Sequence, residues 1–178
     1  MGNRYEKVQK IWDHCAKCSF FAKVIAMDNS KHKLADLAAT GGLLHDIGKL
    51  IILSLDKKIV EKMTNFQIQE KDSSVLIEEF TVGIRHADIG GRLLKKWSFP
   101  EDLIHIVEFH HRPFLAPPEH KDLLEIVYLA NMMLDALENR ANFFTINQEI
   151  LKNFKLDNEA VFNKYLEKID LQFKASHQ

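Results

Sequence analysis

Apolar residues recur at three- and four-residue spacing along most of the chain. Val8, Ile11, Trp12, Cys15, Ala22, Ile25 and Ala26 form one such stripe, which predicts an amphipathic helix over about residues 4–27, stopping at Asp28-Asn29-Ser30. Ser30 is placed to cap a second helix, whose apolar positions Leu34, Leu37, Ala38 and Leu44 lead into His45-Asp46 before an expected break at Gly48. Helices are expected over about residues 56–66 and 73–82, then a bend at Gly83 and a helix from His86 to near Trp97. Pro100 suits a first helical position, with Glu101 and Asp102 beside the positive end of the helix dipole. That helix must end by Arg112, because Pro113 disfavours helical geometry in the residue before it. After the turn-rich RPFLAPPEHKD a helix is expected over about 123–138, Thr145-Ile146-Asn147-Gln148 reads as a capping box, and Asp157 is placed to cap the last helix. No convincing strand alternation, internal repeat or low-complexity segment appears. The pattern predicts an all-α bundle in a single domain.

Composition narrows the function. At 178 residues, 46% apolar and 28% charged, the chain is long enough to bury about 70% of the surface its unfolded form exposes. A net charge of −1, with lysines in scattered pairs such as Lys57-Lys58 and Lys95-Lys96, provides no basic stripe for DNA or RNA. Apolar runs such as Leu50 to Leu55 are too short to span a bilayer, and MGNRYEK holds no signal-peptide core, so a cytoplasmic protein away from membranes is expected. Cys15 and Cys18 form a C-x-x-C inside a helical pattern with no second pair to complete a zinc site, which favours core packing.

The candidate chemistry centres on LLHDIGKL, Leu43 to Leu50. His45 and Asp46 stand side by side, with Lys49 close behind, in otherwise apolar sequence. Charged groups enter such a run with a partner, and a divalent cation would partner the first two while the ammonium held a phosphate oxygen. The alternative is that His45 and Asp46 close a helix and bond to backbone. His14 upstream, and His86 and the adjacent His110-His111 downstream, favour the metal, since a metal site needs several converging ligands. His32, His105, His120 and His177 are not expected to be ligands, and Trp12, Trp97 and Phe109 read as core aromatics.

The order of these segments resembles the HD superfamily of metal-dependent phosphohydrolases, and within it the HDOD domains of bacterial signalling proteins. The carrying segments are IWDHCAKC, GGLLHDIGKL, EEFTVGIRHADIGGRLLKKW from Glu78 to Trp97, the Phe99-Pro100 step, His110-His111 and YLANMM. They span about three-quarters of the chain, most closely over 8–138, and leave 139–178 as a C-terminal helical extension of one HD-like bundle. HDOD proteins usually begin with a further helical region. The resemblance therefore implies either a short relative or a preceding segment, with homodimerisation through an uncovered apolar surface as a consequence.

The resemblance also implies the roles. His14, His45, Asp46 and a late-helix oxygen would hold one cation, while Asp46 would bridge to a second held by His86, His110 and His111. The late-helix position carries Asn131 where the superfamily expects Asp, with Asp135 one turn further on the same face. Asp46 and Lys49 would be the catalytic pair. One or two transition metal ions, iron, manganese, zinc or nickel, are the expected cofactors, because imidazoles suit them better than magnesium. Lys10 stands where a carboxylate for a third metal would be, and no glycine-tyrosine-proline loop follows His111, so a cyclic dinucleotide is not the expected substrate. Two functions follow: a phosphohydrolase or phosphodiesterase acting on a phosphorylated small molecule or nucleotide, or a non-catalytic module that contacts a signalling protein.

Overall fold

The computed structural model describes residues 4–55, 78, 79, 81 and 83–176. Eight α-helices are described: α1 (Arg4–Asp28), α2 (Ala35–Leu44), α3 (Ile47–Ser54), α4 (His86–Lys96), α5 (Glu101–Phe109), α6 (Lys121–Leu137), α7 (Gln148–Asn153) and α8 (Glu159–Ser176). No strand occurs among the described residues. The expected helices over 56–66 and 73–82 lie outside the described residues, except that Glu78, Glu79 and Thr81 are helical. Gly83 makes the bend, at φ +75°, a conformation that suits a residue without Cβ.

Helix α6 is the axis of the bundle. Its run from Leu123 to Asn131 is buried on every side, as the near-continuous apolar sequence demands. Helices α1, α2 and α5 pack around it, and α7 packs against its outer side. Ile150, Leu151, Phe154, Phe162, Leu166 and Ile169 from the C-terminal segment enter the same core as Phe21, Ile25, Leu94 and Ile106. Cys15 and Cys18 are buried free thiols, and burial pushes the Cys15 thiol up to about 12, which makes it an inert packing group.

Two close approaches set the helix pairs that matter for the site. In the α1–α2 pair, a Cβ on Gly42 would stand 2.9 Å from the Cys18 carbonyl oxygen. Where α3 meets α4, a Cβ on Gly48 would stand 1.9 Å from the His86 carbonyl oxygen. Gly48 therefore lies inside α3 as a contact point and does not end a helix, contrary to the sequence expectation. The break falls at His45-Asp46, between α2 and α3.

Several end signals act at neighbouring positions. Ser30 caps nothing; it closes α1 at φ 59°, with Lys31 N–H bonding to Ala26 O and Ser30 N–H to Met27 O. Pro100 is the cap of α5, one residue before its first helical position. Thr145 completes a capping box opened by Asn142, and Asn147 caps α7. Asn158, not Asp157, accepts from the N–H groups of Ala160 and Val161 at the start of α8. Trp12 and Trp97 are 40% and 57% exposed, so they are surface aromatics, while Phe109 packs on the core as expected. Within the 23-residue stretch His32–Ser54, an 18-residue window reaches a mean hydropathy of 1.3, long and apolar enough to cross a membrane by those measures. Its central break carries buried His45 and Asp46, and its apolar residues pack on α1 and α4.

Candidate metal centre

Adjacent residues on a regular helix point about 100° apart and cannot both face one centre. The α2–α3 junction removes that restriction: His45 is still helical, Asp46 turns to φ −101°, ψ 12°, and both side chains go inward, 0% and 2% exposed. The same device operates after α5, where His110 and His111 occupy the closing turn. His86 comes from the first position of α4, and His14 from α1.

These groups meet on Asp46. Its Oδ1 lies 3.1 Å from His86 Nε2 and 3.7 Å from His110 Nε2. Its Oδ2 lies 3.4 Å from His45 Nε2, 3.9 Å from His14 Nε2 and 2.6 Å from Lys49 Nζ. Two sets of potential ligand atoms result, Asp46 with His86, His110 and His111, and Asp46 with His14 and His45, each within 4.8 Å of one another. Asn131 joins the second of these through Oδ1, 3.0 Å from His14 Nε2. Asp135 does not join; its carboxylate takes Arg140 Nη2 at 2.6 Å and Nε at 3.0 Å. The position one turn nearer the cluster is thus taken by the neutral amide.

The arrangement of protons fits a cation. His45 Nδ1 faces Gly42 O at 2.7 Å, His110 Nδ1 faces Val107 O at 2.9 Å, and His86 Nδ1 faces Glu78 Oε2 at 2.6 Å. Each far nitrogen donates to an oxygen, which leaves Nε2 as a bare lone pair in the neutral ring. His86 Nε2 nevertheless stands 3.2 Å from His110 Nε2 and 3.1 Å from His111 Nε2. Lone pairs so close repel unless a cation or a proton lies between them. His45 Nε2 and Asp46 Oδ1 are also buried without a hydrogen-bond partner among the described residues.

Charge follows the same geometry. Burial drives His45 down to about 4 and His111 to about 3, and burial with the neighbouring imidazoles puts His110 well below its ordinary value. Burial and Lys49 oppose an imidazolium at His86, but the Asp46 and Glu78 carboxylates outweigh them and hold it raised. Burial pushes Asp46 up, yet Lys49, His45 and His86 together keep it well below the usual carboxylate range. The centre is a buried carboxylate facing imidazoles that burial keeps neutral, His45, His110 and His111, and one, His86, that its carboxylate neighbours favour in the protonated form. Its edge opens at His14 and Lys49, whose side chains are 11% and 26% exposed.

A family profile for the HDOD domain matches residues 2–113, well over half of the chain. The chain belongs to the HDOD domain family. An HDOD domain protein of unknown function from Geobacter sulfurreducens superposes with a TM-score of 0.75 at 20% identity, over 93% of this chain and 60% of that one. A provisionally named phosphohydrolase from Shewanella amazonensis SB2B gives 0.67 at 19% identity, over 90% and 59%. An uncharacterised protein of Treponema pallidum (strain Nichols) is 25% identical over 167 residues. That alignment covers 94% of this HDOD chain and a third of the Treponema protein's length.

Two residues of this HDOD centre escaped the sequence reading. Glu78 is 2% exposed and accepts from both the backbone N–H and the ring of His86, at 2.8 and 2.6 Å. Glu138 lies 3.7 Å from His14 Nδ1, and that imidazole, ahead of Arg140, holds its carboxyl low. Neither sits beside a histidine in sequence, so spacing carried no signal. The rings of His105 and His120 lie with centroids 4.5 Å apart, and His32 turns to Met27; none of the three belongs to either ligand set. His177 lies outside the described residues.

Proposed function

We propose that this HDOD domain binds two divalent transition metal ions on Asp46 and hydrolyses a phosphate ester or nucleotide there. The observation that carries this reading is that the two oxygens of one buried carboxylate face two separate groups of imidazoles. His14, His45 and Asn131 would hold one ion and His86, His110 and His111 the other. Ions held there would supply Lewis acidity, lowering the pKa of an attacking water and drawing charge from phosphorus.

The chain's own residues supply the rest. Lys49 is half-buried at the open edge, with its ammonium on Asp46 Oδ2, and would take a non-bridging phosphate oxygen of the substrate. His45, Asp46, His86 and His110 are themselves buried, so charge interactions among them act in a low dielectric. The test is turnover of p-nitrophenyl phosphate and of mono- and dinucleotides by metal-loaded protein, with Asp46→Asn as the control. Metal-dependent turnover that D46N abolishes supports the reading. A protein that holds two ions and releases no phosphate from any of them counts against catalysis.

The second reading, a non-catalytic signalling module that contacts another protein, rests on the His14 side. There Asp46 Oδ2 is already engaged by Lys49, and the neutral Asn131 stands where a carboxylate would strengthen metal binding.

A further inference from the structure

We propose that Glu78 is the positioning residue of the metal centre, fixing the tautomer and aim of His86 while capping the helix that carries it. The inference rests on the metal-binding reading above and assigns a role to a residue outside both ligand sets. One oxygen, Oε2, takes the His86 backbone N–H at 2.8 Å and the ring Nδ1–H at 2.6 Å. The first bond satisfies an otherwise free N–H at the start of α4, where the cap residue Arg85 offers no side-chain bond, its guanidinium having no acceptor atom. The second leaves Nε2 as the nitrogen that faces Asp46, His110 and His111.

Both bonds end on the same residue, so the backbone position and the ring rotation of His86 are set by one carboxylate. Any carbonyl oxygen could accept both bonds; what the carboxylate adds is charge, which raises the basicity of the ring toward a cation. Glu78 is buried, and the hydrogen bonds of its carboxylate among the described residues all go to His86. His110 is oriented by a neutral carbonyl instead, and His14 Nδ1 has no hydrogen-bond partner among the described residues. His86 is therefore the imidazole of the cluster with a charged orienting group in hydrogen-bond contact.

The test compares wild type, Glu78→Gln and Glu78→Ala in the full chain. Mn²⁺ affinity is measured by chelator competition, and the ring ¹⁵N shifts of His86 are read in metal-free protein at a pH high enough for the ring to be neutral, where the two tautomers are distinct. Glu78→Ala is expected to weaken the tighter Mn²⁺ class about 10- to 100-fold and to move His86 away from the Nδ1–H tautomer. Glu78→Gln keeps an acceptor oxygen and the cap, and is expected to hold the tautomer with a smaller loss of affinity. If Glu78→Ala does not fold, the loss in Glu78→Gln decides. Unchanged affinity and unchanged ¹⁵N shifts in a folded variant, with only a lower Tm, would overturn the proposal and leave a helix cap. A wild type that binds no Mn²⁺ sinks the metal reading itself, whereas the ¹⁵N shifts still decide whether Glu78 orients the ring.

Discussion

The two sides of Asp46 are built differently. On the His86 side, His86 and His110 are each held from behind, by Glu78 and by Val107 O, and no ammonium touches Asp46 Oδ1. On the His14 side, His45 is held by Gly42 O, but His14 has only the distant Glu138 behind it, Asn131 is neutral, and Lys49 competes for Oδ2. A ligand already aimed loses little freedom on binding, and a carboxylate oxygen without a competing cation has its full charge to give. The difference teaches that one bridging residue does not make equal positions: the His86 side should be the tighter.

The largest change expected is from Asp46→Asn, which removes the shared anion while keeping its shape. Metal content should fall to near zero by elemental analysis, and retention of either ion would break the bridging account. His110→Ala comes next. It should remove the tight class and leave the weak one, measured by chelator competition; loss of the weak class instead would reverse the comparison.

Acidity should act on the same side. His45 and His111 sit near 4 and 3, so they are neutral well below pH 7, whereas His86 is raised. A cation on the tight side must displace the His86 proton. Affinity should therefore fall by about tenfold per pH unit below the His86 value and flatten above it. Calorimetry in buffers of different ionisation enthalpy should show close to one proton released per tight ion.

Asn131→Asp should sharpen the contrast from the other side, tightening the weak class by about tenfold, the scale of exchanging a neutral for a charged partner. Asp135→Ala should do least. Its carboxylate is taken by Arg140 at the surface, so metal content should not change and stability should move by about 0.5 kcal/mol or less in urea unfolding.

The helices and the histidines that gather around Asp46 could be read from the chain because each leaves a local mark: a repeat of three and four, or an imidazole in apolar sequence. What could not be read depends on neighbours distant in sequence. Gly48 carries the same signal as a helix stop, yet its reason is the His86 carbonyl across the α3–α4 contact. The stripe containing Trp12 shows an apolar face but not whether anything covers it, and Trp12 is partly bare. Glu78 looks like any helix-surface carboxylate, eight residues before the histidine it holds. Two start caps lie one to a few residues from where they were expected because the side-chain oxygens of Asn142, Asn147 and Asn158 accept N–H groups as readily as those of Thr145 and Asp157.

Elemental analysis of metal per chain tests the central claim most directly, on protein purified without chelator under anaerobic conditions, then repeated after a chelator wash. The account predicts close to two transition metal ions before the wash and close to one after it. Near zero before the wash, even after reconstitution with iron, manganese or zinc, would contradict the metal centre; two ions lost together would contradict the inequality of its two sides.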